Sequence, residues 1–319
     1  MPTANASRSY WKSPIPLHST DKLVIAFWCL LSLVSLILHS RIPVWRLVVV
    51  ANLAAGLLVC LLACVAHRTG SKVLRWLHDW AAFPLIVFTY KQLYFMVRPI
   101  HQGKDYDQLL IALDRALFRV NPTQWLARFA NPFLTEVLQI AYSLFYVLFI
   151  AVGWELYRKQ DLCRFRYFRF AAVYGFFVSY VGYFCLPAAG PRFTLHDFSI
   201  IDAELPGLLL THALRWFINI CESIYPGMTN SEALAHAQRD VFPSGHTMLT
   251  LIAVVLACKY GLKIRYFILG TGMLLILATV YLRYHYLIDV VTGVVVALLC
   301  LFTCKWIYAL FGDEPDAKT

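Results

Sequence analysis

Residues 46–66 read RLVVVANLAAGLLVCLLACVA, with one charge, Arg46, at the start and one amide, Asn52, inside. A run of that length and apolarity spans a bilayer core of about 30 Å as a single helix. Working outward from it, seven further stretches have the same character, at 23–40, 77–97, 133–154, 167–187, 244–260, 266–284 and 287–310. The whole chain agrees. It is 60% hydrophobic and 14% charged, where soluble domains carry about 25% charged residues, and its mean hydropathy is +0.63. The expected fold is all-α: a polytopic membrane protein of about eight transmembrane helices. A disordered chain, a coiled coil and an ordinary cytosolic enzyme are excluded. The net charge of +10 does not indicate a nucleic-acid partner, because the basic residues sit in short clusters between apolar runs, as membrane proteins carry them. Seven of the nine cysteines (Cys29, Cys60, Cys64, Cys185, Cys258, Cys300 and Cys304) lie inside apolar runs without metal-site spacing, and read as small core hydrophobes.

The first 22 residues are polar, contain Pro14 and Pro16, and lack a cleavable signal pattern, so the first span is expected to be an uncleaved anchor. Eight spans alternate sides. The side of residues 1–22 also holds 67–75, 156–166 and 259–265, with thirteen Lys and Arg in 49 residues. The other side holds 41–46, 98–131 and 188–243, with ten in 96 residues and nine acids. The positive-inside rule places both termini in the cytoplasm and the second side in the periplasm, lumen or exterior, so the chain is an integral protein of a plasma, inner or endomembrane. On that second side, 105–119 and 122–130 have an apolar face and are expected to lie on the membrane surface as amphipathic helices. Segment 188–243 is irregular, with a helical stretch near 207–221.

Four pieces carry chemistry, all at second-side ends of spans. In Lys91-Gln-Leu-Tyr-Phe-Met-Val-Arg98-Pro99 the two cations are seven apart, near one helix face, and Pro99 turns the chain out of helix. A pair of snorkelling edge cations is the plain alternative. Ala189-Gly190-Pro191-Arg192 forms a turn that aims one arginine at the membrane surface, or an ordinary loop. Pro243-Ser244-Gly245-His246 opens a span. Ser244 suits an N-cap, Gly245 admits a ligand to the backbone, the helix N-terminus attracts an anion, and His246 stands beside it for proton transfer. The plain alternative is a capped helix with an interfacial histidine. Last, Tyr281-Leu-Arg283-Tyr-His285-Tyr-Leu-Ile-Asp289 places His285 and Asp289 at i and i+4, where a carboxylate fixes the imidazole tautomer. Arg, His and Asp within seven residues at a membrane edge are costly unless used, though a structural His–Asp pair between helices is the alternative. Lys91, Arg98, Arg192 and Arg283, a helix N-terminus and two histidines converge on one side. That describes a site for a highly charged phosphate, with a nucleophile and an acid. The carboxylates that hold metals in other phosphoryl-transfer enzymes are missing, so neither metal nor cofactor is expected.

These motifs resemble the type-2 phosphatidic acid phosphatase superfamily, whose pattern is Lys-x6-Arg-Pro, Pro-Ser-Gly-His and Ser-Arg-x5-His-x3-Asp. Residues 91–99 match the first, 243–246 the second, and His285 with Asp289 the end of the third. Where the family has Ser-Arg the chain has Ala278 and Thr279, and its arginine is Arg283, one helical turn later on the same face. That displacement, with Gly-Pro-Arg, is similar to the inositol phosphorylceramide synthase branch. The resemblance implies a six-helix catalytic domain over 77–310, preceded by a tail and two extra spans (1–76) and followed by a polar tail (311–319). It implies that His285 attacks phosphorus to form a phosphohistidine, Asp289 orients it, and His246 protonates the leaving oxygen. Lys91, Arg98, Arg192, Ser244, Gly245 and Arg283 would bind phosphate. A lipid phosphate or phospholipid would be the substrate, and a polyol, a lipid alcohol or water the acceptor. A lipid-phosphate phosphatase is the alternative. A transporter would spread its charges toward the bilayer midplane and often show a repeat; here they cluster at one edge.

Overall fold

The computed structural model describes residues 16–312, so most of both polar tails lies outside the described residues. Helices and the turns and loops that join them make up that range. The first half holds α1 (Ser19–Ile37), α2 (Trp45–Thr69), α3 (Lys72–Trp80), α4 (Ala82–Ile100), α5 (Asp107–Phe118), α6 (Pro122–Leu126), α7 (Pro132–Ser143) and α8 (Phe145–Arg158). The second half holds α9 (Leu162–Cys185), α10 (Pro191–Thr194), α11 (Ile201–Glu204), α12 (Thr211–Cys221), α13 (Asn230–His236), α14 (Gly245–Lys259), α15 (Arg265–Tyr281) and α16 (Leu287–Leu310).

Of the eight expected spans, α1, α2, α9 and α16 are single helices long and apolar enough to cross a bilayer, and α7 with α8 makes a fifth if that bent pair counts as one. The expected span at 133–154 is bent by 50° between them. The expected span at 77–97 is two helices. Pro84 lacks the N–H that would bond to the Trp80 carbonyl, and its ring crowds that carbonyl, so the helix breaks at Ala81. α14 and α15 are apolar but shorter, 15 and 17 residues.

The core is built around α9, which packs against α1, α4, α8, α14 and α16. Its aromatic residues Phe165, Phe168, Phe170, Phe176, Phe177, Tyr180 and Tyr183 are all buried. A helix apolar on every side belongs in the centre of a bundle. α1 joins the same core, with Trp28 Nε1 donating to Thr89 Oγ1 at 2.9 Å. The opposite situation holds on α2 and α16. Leu47, Val50, Leu53, Leu57, Leu61, Val294, Leu298, Leu299 and Phe302 are exposed, an apolar surface suited to contact with lipid.

The surface helices differ from expectation. α5 does expose Leu109, Leu113 and Leu117, one turn apart. Its inward face, however, carries two carboxylates among the leucines: Asp107 and Asp114 are 4% and 1% exposed. Asp114 accepts from the Leu287 and Ile288 N–H groups at 3.0 and 2.7 Å, capping α16. So α5 is a strut under α16 as well as a surface helix. Glu136 of α7 similarly accepts from Leu208, Leu210 and Thr211 N–H at 2.9, 2.6 and 3.2 Å, and so holds the start of α12.

The N-terminal ends of α14 and α16 meet directly, with Ser244 N donating to the Asp289 carbonyl at 3.0 Å. Gly293 allows this approach, since a Cβ there would lie 2.8 Å from the Ser244 carbonyl oxygen. Backbone cannot yield as a flexible side chain can. Gly293→Ala should therefore cost about 1–3 kcal/mol of stability, read as a lowered Tm in detergent. Gly56→Ala on α2, where a Cβ meets nothing within 4 Å, should leave Tm unchanged or raise it.

Candidate active site

α14 begins at an N-cap. Ser244 Oγ accepts from Thr247 N at 3.3 Å. Gly245 follows because Tyr183 of α9 leaves no room for a Cβ. His246 is thereby placed in the first turn, its ring stacked on Tyr142 (4.6 Å between centroids) and beside Phe145 (4.4 Å).

His285 arrives from the other end of the chain. α15 stops at Tyr281, Arg283 takes a left-handed φ of 69°, and the N–H groups of Tyr284 and His285 both donate to the Thr279 carbonyl at 2.9 Å. The turn corrects two expectations drawn from helix geometry. His285 and Asp289 do not share a helix, because His285 precedes α16; Asp289 lies in its first turn. Thr279 and Arg283 do not share a helix face, because Arg283 lies beyond the end of α15.

His285 Nδ1 lies 2.9 Å from the Val241 carbonyl oxygen and 3.6 Å from Asp289 Oδ2. A carbonyl only accepts, so Nδ1 carries the proton and Nε2 the lone pair. The expected orienting carboxylate is thus replaced in the first instance by a backbone carbonyl. Asp289 instead caps α16 through Tyr286 N at 2.8 Å, while its buried Oδ1 has no hydrogen-bond partner among the described residues. Burial pushes the His285 imidazole down to about 4, which keeps it neutral near pH 7. His285 Nε2 faces His246 Nδ1 at 3.4 Å.

Both histidines line a cavity of about 160 Å³, walled by Phe145, Tyr146, Phe176, Phe217 and Leu249 and given charge by Arg192, Glu222 and Asp240. Arg192 is 5% exposed, ion-paired with Glu222 and hydrogen-bonded to Asn219 Oδ1 at 3.3 Å. Its guanidinium lies 4.8 Å above the Tyr284 ring, and Tyr284 stacks on Tyr142 at 4.3 Å and 9°. Arginine, two tyrosines and His246 therefore form one continuous stack along the cavity.

Not all of the expected phosphate ligands meet there. Ser244 and Gly245 form the helix N-terminus beside the cavity, and Gly245 lines it. Lys91 Nζ donates to the Cys221 carbonyl and Arg98 to the Ala235 carbonyl; neither lines the cavity. Their helix contributes Tyr90, whose hydroxyl donates to Asp240 Oδ2 at 2.6 Å. Arg283 is 2% exposed, pairs with Glu204, and also stays off the cavity wall. Of the four expected cations, Arg192 alone lines the cavity. Sequence reading missed Glu222, Asp240, Tyr142 and the Val241 carbonyl. The acids carry no spacing signal, and a main-chain oxygen leaves no mark on side-chain identity. Desolvation pushes the Glu222 carboxyl above its usual range, with Arg192 pulling it the other way.

The family model of the PAP2 superfamily matches residues 108–303. The chain therefore belongs to the PAP2 superfamily, and its chemistry is of the lipid phosphatase and phosphotransferase type, on lipid phosphate substrates. The match contains Arg192, residues 243–246, Arg283, His285 and Asp289; Lys91 to Pro99 precede it. No curated protein and no solved structure gives a match.

Arg192 is held by its loop, and that loop by Asp107, which accepts from Ala189 N at 3.0 Å, Gly190 N at 2.8 Å and the Tyr286 hydroxyl at 2.7 Å. A buried hydrogen bond to a charged group contributes roughly 1.5–3 kcal/mol. Asp107→Ala should thus lose about 3 kcal/mol or more, and with it most activity. Asp107→Asn, which keeps one acceptor oxygen, should fall between it and wild type in both Tm and turnover.

Proposed function

We propose that this protein is a lipid phosphotransferase of the inositol phosphorylceramide synthase type, working through a phosphohistidine at His285 without a metal. The observation that carries the reading is His285 itself: a neutral imidazole whose Nδ1 is held by a carbonyl, so that its Nε2 lone pair points into a cavity beside a second histidine and an arginine.

In the first step Nε2 attacks phosphorus. The P–N bond forms, the P–O bond to the lipid leaving group breaks, and His246 gives its proton to that oxygen. In the second step an acceptor hydroxyl attacks phosphorus, the P–N bond breaks, and His246 takes the hydroxyl proton. A covalent intermediate divides one difficult displacement into two easier ones. The imidazoles are 3.4 Å apart, too close to hold a phosphoryl group between them, so His246 moves away as substrate enters. The incoming phosphoryl oxygens replace Glu222 at Arg192. Asp289 stabilises the imidazolium that forms at His285. Lys91, Arg98 and Arg283 serve this site at one remove, by holding the loops over 198–236 that cover it. The Gly190-Pro191-Arg192 turn, whose arginine lines the cavity, supports the synthase branch over a plain phosphatase. The catalytic unit is 77–310, with α1 and α2 as added spans. Both termini are cytoplasmic and the cavity opens on the opposite side, in keeping with the basic excess of the first-side loops.

The purified protein, given a panel of lipid phosphates and phospholipids with and without polyols and lipid alcohols, should make new phospholipid products in EDTA. Free phosphate as the only product would make it a lipid phosphatase instead. An acid-labile phosphoenzyme should be absent in His285→Ala; its persistence there overturns the assignment. Arg192→Gln should lower kcat/KM by about 10² or more, as removing a charge-stabilising donor does. Arg283→Gln should chiefly lower Tm. For topology, Ser199→Cys in a background without native cysteines should react with an impermeant thiol reagent on intact cells; labelling only after lysis reverses the orientation.

A further inference from the structure

The molecule has a second polar cavity at the far end of α9. Its walls include Leu162 and Arg166 at the start of α9, whereas the catalytic cavity touches Tyr180 and Tyr183 at the other end. From Arg166 to Phe176, the nearest α9 residue of the catalytic cavity, the helix rises about 15 Å. Its volume is about 660 Å³.

Three observations give this cavity its chemistry. First, α3 presents Lys72, Arg75, Trp76 and Asp79 to it, at i, i+3, i+4 and i+7, while Val73 and Leu77 on the other face are exposed apolar residues. A short helix built this way, capped by Ser71 directly after the spanning helix α2, lies at the level of the lipid head groups. Second, each nearby carboxylate has a basic group beside it. Asp21 bonds His78 Nε2 at 2.9 Å, and Asp79 lies 3.6 Å from the buried Arg169 guanidinium. Lys72 makes no hydrogen bond or ion pair among the described residues, and Arg75 bonds only the Gly70 carbonyl, at 2.8 Å. Lys72 and Arg75 therefore leave positive charge on the cavity wall. Third, His18, Asp21 and His78 come close enough to hold a cation, but the Arg169 guanidinium lies 2.9 Å from His18 Nδ1. That positive charge disfavours a metal ion there.

We propose that this cavity binds a phosphate-bearing anion at the membrane face opposite the catalytic cavity: the head group of an anionic phospholipid, or a free organophosphate of the same chemistry. Lys72 and Arg75 grip the phosphate oxygens from α3, and Arg166 closes the far side. Two or three cations at one head-group position favour phosphatidate-like monoesters over zwitterionic choline lipids. The claim is independent of the catalytic assignment, since no residue is shared.

The test uses the full-length protein in detergent and native mass spectrometry, with every protein compared, the one wild type at 72 and 75 included, carrying Arg192→Gln to weaken binding in the catalytic cavity. The lipid probe is the phosphonate analogue of dioleoyl phosphatidate, which resists hydrolysis; phosphatidylcholine is the reference, and glycerol 3-phosphate is the soluble probe. Lys72 and Arg75 are exposed, so K72Q/R75Q should fold. Wild type should hold the analogue in preference to phosphatidylcholine. K72Q/R75Q should bind it at least about tenfold more weakly, in line with the loss of a charged hydrogen bond, and K72R/R75K should retain it. Glycerol 3-phosphate raising Tm in wild type but not in K72Q/R75Q, with no preference between the lipids, would assign the site to the soluble anion. Equal retention of the analogue by wild type and K72Q/R75Q, with no Tm shift from the soluble probe, overturns the proposal.

Discussion

The carboxylate of Asp107 ties the catalytic region together. It accepts from the Ala189 and Gly190 N–H groups before Arg192 and from the hydroxyl of Tyr286 after His285. Two segments almost a hundred residues apart in sequence are thus joined through one buried anion. A buried carboxylate is tolerated only when its lone pairs are filled, and here three donors fill them. Asp114, two turns along the same helix, does the same for the start of α16. The strut helix thereby sets both the arginine and the histidine in register with α14.

Around that joint, the cavity is held by stacking and by backbone more than by side-chain ion pairs. Arg192, Tyr284, Tyr142 and His246 are face to face in sequence. Such a stack restricts each ring to sliding or small rotation, which suits the acid role proposed for His246. The carbonyl of Val241 holds His285 without adding a charge to the site. That leaves Asp289 Oδ2 to cap α16 through Tyr286 N, while Oδ1 has no hydrogen-bond partner among the described residues. An imidazolium forming at His285 would then find a carboxylate 3.6 Å away.

The long segment over 188–243 covers the cavity and supplies its acids. It is fastened by polar contacts at several points: Glu136 to the Leu208–Thr211 backbone, Arg283 to Glu204, Lys91 to Cys221, Arg98 to Ala235 and Arg239 to Asp105. Cations expected to grip phosphate hold the cover instead. A charge on a segment beside lipid finds a partner within the protein wherever it can, because the surrounding hydrocarbon offers none.

Sequence alone determined the all-helical membrane character, since a run of twenty apolar residues has one stable solution in a bilayer. It also determined the two histidines: Pro-Ser-Gly-His carries its own N-cap, and the tyrosine-rich stretch around His285 concentrates charge that a membrane edge does not tolerate idly. Helix breaks were less legible. Pro84 was visible but sits inside a stretch whose average apolarity hid the break at Ala81. What only the tertiary structure decided was which groups meet. Arg192 enters the cavity while Lys91, Arg98 and Arg283 stay out, a carbonyl takes the place expected for Asp289, and Glu222 and Asp240 appear where no acid was foreseen. The reason is physical. Local spacing fixes which face of a helix a side chain occupies, but His285 and Arg283 lie in a turn with a left-handed residue, where helical periodicity no longer applies. Their partners come from segments about 40 to 80 residues away, and only packing around α9 brings those segments together.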